Sequence, residues 1–129
     1  MKKIRQLDME LAGGCNYSCD MCPQSSGREK EFNKLLKWET FVKIVDNAIE
    51  HGVETISLHG GGEPTLNKRF MDCVRYIKER NIHCSTISNG YKLDDKLIQD
   101  ISESGLDVIR ISAVGYDRET YDKWMKVRK

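Results

Sequence analysis

The sequence predicts an α/β protein, a partial (β/α) barrel of about four βα units with parallel strands. Short β-branched runs alternate with segments of helical periodicity, which is the pattern of βα units. Three of the predicted helices end at Gly52, Asn81 and Gly105, residue types that tolerate a left-handed backbone, and a strand follows each. A complete eight-unit barrel takes roughly 250 residues, so this chain of 129 residues holds about half of one.

The predicted elements follow in order along the chain. The first strand covers residues 6–11, where apolar and polar side chains alternate. The first two helices each carry an apolar stripe, made of Phe41, Val45, Ala48 and Ile49 in one and of Phe70, Cys73, Val74 and Ile77 in the other. The expected N-caps of the second, third and fourth helices are Asn67, Asp94 and Asp117, and the fourth helix is expected to run to Lys129.

Strand periodicity divides the predicted sheet into two faces. We overlay the three units by aligning the ends of their helices. Seven residues beyond each helix end the sequence has a polar side chain, and these are His59, Ser88 and Ser112. This overlay places on one face Thr55, Ser57, His59, Cys84, Thr86, Ser88, Val108, Arg110 and Ser112. It places on the other face, which helices are expected to cover, Ile56, Leu58, Ile87, Ile109 and Ile111. A polar, concave face predicts a cavity that holds a ligand.

Charge and cysteine content limit the class of protein. Lys and Arg number 21 against 20 Asp and Glu, a formal charge of +1, so no nucleic-acid partner is expected. No apolar run is long enough to cross a bilayer, and we expect a cytoplasmic protein without membrane contact. Five cysteines, three of them within eight residues, favour metal ligation over a disulfide framework.

The three clustered cysteines are Cys15, Cys19 and Cys22, a CxxxCxxC motif that directly follows the first strand. Active sites of barrels lie at this carboxyl end of the strands. Cysteine thiolates hold iron-sulfur clusters, and because a cubane normally takes four ligands, three would leave one iron open. The alternatives are unpaired thiols or a structural zinc site, which needs a fourth ligand such as His59 or Cys84.

Two motifs carry a resemblance to the radical S-adenosylmethionine (SAM) superfamily: CNYSCDMC at residues 15–22 and GGEP at residues 61–64. The ends of the third and fourth strands, residues 87–90 and 111–115, also resemble that family, most of all its SPASM-type members. The resemblance implies a single truncated core domain over residues 1–129, with a cluster loop at 12–37.

The resemblance also implies cofactors and the residues that bind them. A [4Fe-4S] cluster would be held by Cys15, Cys19 and Cys22, with SAM on its open iron. The residues implied to contact SAM are Met21 at the adenine, Gly61, Gly62 and Glu63 at the amino group, and Ser88, Asn89 and Ser112 at the ribose and carboxylate. The carboxylate of Glu63 is expected to be free to orient that amino group.

The implied reaction is reductive cleavage of SAM to methionine and a 5′-deoxyadenosyl radical, which abstracts hydrogen from a peptide, sugar or small molecule. Its electron donor would be a protein such as flavodoxin or ferredoxin. A non-catalytic iron-sulfur module for electron transfer or sensing stays open, as does a glycyl-radical-activating enzyme. Two features depart from the family: Ala113 and Val114 replace polar positions, and the chain has four units where the family has six. An open last strand favours self-association through its edge.

Three side chains on the predicted polar face keep alternative roles. His59 borders the glycine turn, where it would contact the substrate, the cluster or neither. Cys84 either packs against its neighbours or presents a thiol to the substrate. Arg110 is expected to pair with Asp8, Glu10 or an anionic ligand.

Overall fold

The fold is a four-stranded parallel sheet whose strands lie in chain order, β1-β2-β3-β4, which confirms the predicted partial barrel. The computed structural model describes residues 3–23 and 34–127, so residues 24–33 of the predicted cluster loop lie outside the described residues. The strands are β1 Gln6–Met9, β2 Thr55–Leu58, β3 His83–Ser88 and β4 Val108–Ile111. The helices are α1 Trp38–Glu50, α2 Phe70–Lys78, α3 Asp95–Ser104 and α4 Arg118–Trp124, with a short 3-10 helix at Pro64–Leu66.

The hydrophobic core lies between one face of the sheet and the helices. The predicted stripe of α2 is completely buried, and α1 buries Phe41 and Val45 of its own stripe. The strands contribute Met9, Ile56 and Leu58 to this core. By contrast α3 buries no residue completely, so the sheet is well covered near β2 and open near β4. No helix in the described part of the chain is both long and apolar enough to span a bilayer.

Most helix ends agree with the sequence prediction. Gly52, Asn81 and Gly105 have φ angles of 84°, 57° and 79°, which is the left-handed backbone expected after a helix. Asp94 and Asp117 cap α3 and α4, and each accepts a 2.8 Å hydrogen bond from the backbone N–H three residues further on. The helix ends at Gly52, Asn81 and Gly105 set where strands β2, β3 and β4 begin.

Asn67 does not cap α2, contrary to the prediction, because the preceding 3-10 helix moves the start of α2 to Phe70. Its buried side chain accepts a hydrogen bond from Arg69 N at 3.0 Å. Its Nδ2 donates to Leu11 O at 3.0 Å and to Leu36 O at 3.1 Å. Asn67 therefore ties the segment after β1 to the turn that precedes α2.

The predicted face of β3 is wrong. Leu58 is paired with Thr86 in the sheet, so Cys84, Thr86 and Ser88 lie on the helix-covered face, where all three are buried. Ile87, predicted to lie beneath the helices, is on the opposite face and lines the cavity described below. The assignments of β2 and β4 are confirmed by their pairing.

This error has its physical cause in the stagger of neighbouring strands. The paired residues Leu58, Thr86 and Ile109 lie six, five and four residues after the ends of their preceding helices. Barrels of this kind carry a shear of about one residue per strand. Positions at a constant offset from the helix end therefore alternate between the two faces of the sheet.

Replacing Asn67 with Ala is expected to lower the free energy of unfolding by about 2–3 kcal/mol, because all three hydrogen bonds of this buried side chain are lost. Chemical denaturation followed by circular dichroism measures this change. Asp94→Ala, which removes one exposed cap, is the control and should cost about 1 kcal/mol. Equal losses in the two variants would contradict the role assigned to Asn67.

Candidate functional site

A cavity of about 340 Å³ opens at the carboxyl ends of the strands. All three motif cysteines line it, together with the turn after β2 and the residues that follow β3 and β4. Of the predicted site residues, those that line the cavity are Cys15, Cys19, Met21, Cys22, Gly62, Glu63, Ser88, Asn89 and Ser112. A larger cavity of about 590 Å³ lies beside α1, but it is lined mainly by apolar side chains such as Leu7 and Ile44 and has no cysteine.

The cysteines lie on the loop that follows β1. Cys22 N donates to Cys19 O at 3.0 Å, which folds the second half of the motif into a turn. The Sγ of Cys15 accepts from Tyr17 N at 3.4 Å and lies 3.6 Å from Nδ2 of Asn89. Burial raises the pKa of the Cys15 thiol, and the N–H of Tyr17 acts in the opposite direction. The N–H donors already point at the sulfur that a metal would bind.

Asn16 supplies a direct test of whether a cluster fits this loop. Its Nδ2 is buried and has no hydrogen-bond partner in residues 3–23 and 34–127. Its Oδ1 accepts from Nδ2 of Asn89 at 2.7 Å, so the amide orientation is fixed by a neighbour. An unpaired buried donor costs about 1–3 kcal/mol. Asn16 directly follows Cys15, and an iron-sulfur cluster bound by that cysteine would bring sulfur acceptors to this loop.

A zinc site fits less well. Within the described ranges, no three His, Cys, Asp or Glu side chains converge on one point that could hold a metal ion. A tetrahedral zinc site requires that convergence, whereas the thiolates of a cubane bind different iron atoms. His59 lines the cavity, but its Nε2 lies 3.7 Å from Oδ1 of Asp8. Cys84 is buried beneath the helices and lies outside the cavity, so this suggested fourth ligand does not join the cysteines.

Two further expectations for the polar face are corrected. Burial raises the pKa of the Cys84 thiol to about 12, and the side chain has no surface exposure. Cys84 is a packing residue, and a thiol that faces the substrate is excluded. Arg110 is exposed and takes part in none of the ion pairs of the described residues. It lies on β4, at the opposite edge of the sheet from β1, which carries Asp8.

The glycine turn after β2 packs against the base of the cysteine loop. A Cβ atom at Gly62 would overlap the carbonyl oxygens of Ala12 and Gly14. The next residue, Glu63, donates its N–H to Gly14 O at 2.9 Å. Gly61 is exposed and does not line the cavity. Glycine is therefore required at position 62 for the close approach of two backbones.

Glu63 is 3% exposed, and its carboxylate accepts four hydrogen bonds. Two come from the N–H and hydroxyl of Thr65, at 3.3 and 2.6 Å. The others come from Ser88 Oγ at 2.6 Å and Asn89 N at 2.7 Å. The expectation of a free carboxylate is therefore wrong, because this group joins the end of β2 to the end of β3.

The remaining predicted contacts divide into two groups. The hydroxyl of Ser88 is buried and committed to Glu63. Asn89, Ser112 and Met21 lie at the surface of the cavity, and Met21 is 47% exposed. Ser112 N donates to Ser88 O at 2.8 Å, which keeps the end of β4 beside that of β3. Ser112 and Met21 therefore present a polar and an apolar surface to a ligand.

Sequence reasoning did not assign five residues of the cavity wall, which are Tyr17, Gly60, Ile87, Val114 and Met125. Tyr17 lies inside the cysteine motif and could have been chosen on that ground. Nothing local indicates Met125, because α4 ends at Trp124 instead of running to Lys129 as predicted. The chain beyond α4 is extended at Met125, which brings its Sδ to 3.7 Å from Sγ of Cys19.

Solved structures share this fold. SuiB of Streptococcus suis, in its complex with the precursor peptide SuiA, superposes with a TM-score of 0.79 at 19% identity, over 95% of this chain and 27% of that one. BtrN in complex with AdoMet and 2-DOIA superposes with a TM-score of 0.75 at 23% identity, over 95% of this chain and 53% of that one.

Curated relatives are similar in sequence over most of this chain. A tungsten-containing aldehyde ferredoxin oxidoreductase cofactor-modifying protein of Pyrococcus furiosus is 32% identical over 84% of the chain. A probable GTP 3′,8-cyclase of Methanococcus maripaludis is 30% identical over 95% of the chain. The chain spans 30% of the length of the first relative and 40% of the second.

The family model of the radical SAM superfamily matches residues 9–129. Enzymes of this family bind a [4Fe-4S] cluster and SAM and carry out SAM-dependent radical chemistry, which confirms the expected pair of cofactors at the level of the family. The match includes both motifs that gave the resemblance. The chain belongs to the radical SAM superfamily.

Proposed function

We propose that the chain binds a [4Fe-4S] cluster through Cys15, Cys19 and Cys22 and binds SAM beside it, in the cytoplasm, as the core of an enzyme that abstracts hydrogen from its substrate. The observation that carries this proposal is the cavity that all three thiols line together with the polar ends of three strands. The buried, unpaired donor of Asn16 supports it, since a cluster would offer that donor an acceptor.

When bound, the reduced cluster would supply the electron for cleavage of SAM to methionine and the 5′-deoxyadenosyl radical. The residues of this chain bind and orient the cluster and SAM, and they enclose the cavity around them. Asn89 links the end of β3 to the cysteine loop through Asn16 and Cys15. Glu63 holds the glycine turn against the same loop, and Met21 and Ser112 form the walls.

We propose a small polar molecule as the substrate class. The concave face presents Asp8, His59 and the exposed guanidinium of Arg110, which can bind hydroxyl, phosphate or carboxylate groups. A relative named for an activity on GTP supports the same class. A flavodoxin or ferredoxin is proposed as the electron donor.

Each of the variants Cys15→Ala, Cys19→Ala and Cys22→Ala is expected to lose the iron and the visible absorption that the chain acquires on anaerobic reconstitution with iron and sulfide, because each removes a thiolate ligand. Cys73→Ala is the matched control, since this thiol is buried in the core and lies outside the cavity. It should keep the iron content of the unaltered chain. Zinc in place of iron, or iron retained in all three variants, would contradict the proposal.

The edge of β4 is proposed as a surface for self-association. Ile111 on this edge strand is 48% exposed, and the neighbouring α3 buries no residue completely. Sedimentation velocity over a dilution series should show a dimer or larger species that dissociates on dilution, and Ile111→Lys should weaken it because charge blocks edge pairing. Ile4→Lys, an exposed position before β1, should have no effect. A monomer at every concentration is the contrary result.

A further inference from the structure

A short antiparallel ribbon joins the cysteine loop to the segment after α4. It pairs residues 17–20 with residues 124–127, which are the last residue of α4 and the three that follow it, and we name residues 124–127 the strap. The register is regular, with the opposed pairs Tyr17 and Val127, Ser18 and Lys126, Cys19 and Met125, and Asp20 and Trp124. The strap therefore crosses from the β4 end of the cavity to its β1 end.

Backbone hydrogen bonds hold the loop on both sides of Cys19. Ser18 N donates to Lys126 O at 2.5 Å, and Asp20 N donates to Trp124 O at 3.3 Å. An ion pair reinforces the second contact, since Nζ of Lys126 lies 2.9 Å from both carboxylate oxygens of Asp20. The position of Cys19 is thus set by two neighbours that are each bound to the strap.

A second anchor lies at the start of the ribbon. Tyr17 is buried, and its hydroxyl lies 3.0 Å from that of Tyr121 in α4. Its ring packs edge-on against Tyr91 with 5.9 Å between centroids. The loop is therefore fixed both to the strap and to the helix that precedes it.

Met125 is the buried residue of the strap. It is 4% exposed, whereas its neighbours Trp124 and Val127 are 39% and 42% exposed. Its thioether Sδ lies 3.7 Å from Sγ of Cys19 and lines the cavity. Methionine sulfur is polarizable and fills irregular space, which suits contact with a second sulfur. An otherwise exposed segment thus places one side chain against one cysteine.

We propose that the strap is a positioning element for the cluster, and that Met125 fixes Cys19 and shields its sulfur from water and oxygen. This inference rests on the proposed function, which assigns Cys19 as a ligand. Residues that contact metal ligands orient them, and solvent exposure changes both the stability and the reduction potential of an iron-sulfur cluster. Met125 is a positioning residue in this account.

Alkylation of the chain without cluster tests the contact itself. Iodoacetamide should modify Cys19 faster in Met125→Ala than in the unaltered chain, when peptide mass spectrometry reports Cys19 relative to Cys15. Met125→Leu, which keeps the apolar volume, should stay close to the unaltered chain. Labelling of the buried Cys73 would reveal a variant that fails to fold. If Met125→Ala fails to fold, Lys126→Ala tests the proposal instead. This change is at an exposed position and loosens the same ribbon.

The cluster-loaded chain provides the second readout. Met125→Ala is expected to lose its visible absorption in air about tenfold faster than the unaltered chain. We take this factor from the smallest losses of metal affinity that follow mutation of residues in contact with metal ligands. Its midpoint potential should also move as solvent reaches the cluster. Asp94→Ala, which weakens only a remote helix cap, should leave both properties unchanged and so controls for stability.

The two proposals fail in different ways. An unaltered chain that takes up no cluster would contradict the proposed function, while the alkylation ratio of Cys19 would still decide whether the strap holds this residue. The role of the strap would be overturned by a different result. In that result the unaltered chain takes up a cluster, and Met125→Ala has the same alkylation ratio, decay rate and midpoint potential.

Discussion

The geometry of the cavity depends on the buried carboxylate of Glu63. Two of its four hydrogen bonds join the turn after β2 to the end of β3, and the other two come from Thr65 within that turn. Its own N–H donates to Gly14 at the base of the cysteine loop. Burial of a carboxylate is unfavourable unless donors surround it. These donors therefore act as a set, because the loss of one leaves the remaining carboxylate poorly satisfied. Three segments of the site are thereby fixed relative to one another without a ligand.

The two faces of the sheet have different tasks. The helix-covered face stabilises the fold with a dense apolar core, and it also takes up Cys84 and Thr86. The concave face and the carboxyl rim hold the polar groups. Within the rim, Ser88 and Asn89 are committed to hydrogen bonds within the structure, while the side chain of Ser112 faces the cavity. A rim that is rigid in this sense can orient a cofactor at a small entropic cost.

Local features of this fold could be predicted from the sequence, since stripes and caps depend on residues a few positions apart. The cysteine and GGEP motifs were placed correctly at the carboxyl rim because each follows a strand. The side of β3 that faces the helices could not be predicted, because the stagger between neighbouring strands depends on how they pair and cannot be read from the sequence of one strand. The partners of Glu63 lie 25 and 26 residues away, and Met125 reaches Cys19 across 106 residues. Such contacts are properties of the assembled sheet.

The central claim is that three cysteines on one rim hold a cluster with an iron left open for SAM. Electron paramagnetic resonance of the reconstituted, reduced chain, recorded with and without SAM, tests this claim most directly. We expect a cubane signal that changes when SAM is added, because SAM becomes a ligand of the open iron. A cubane signal that is the same in both spectra would contradict it and would indicate an electron-transfer module instead.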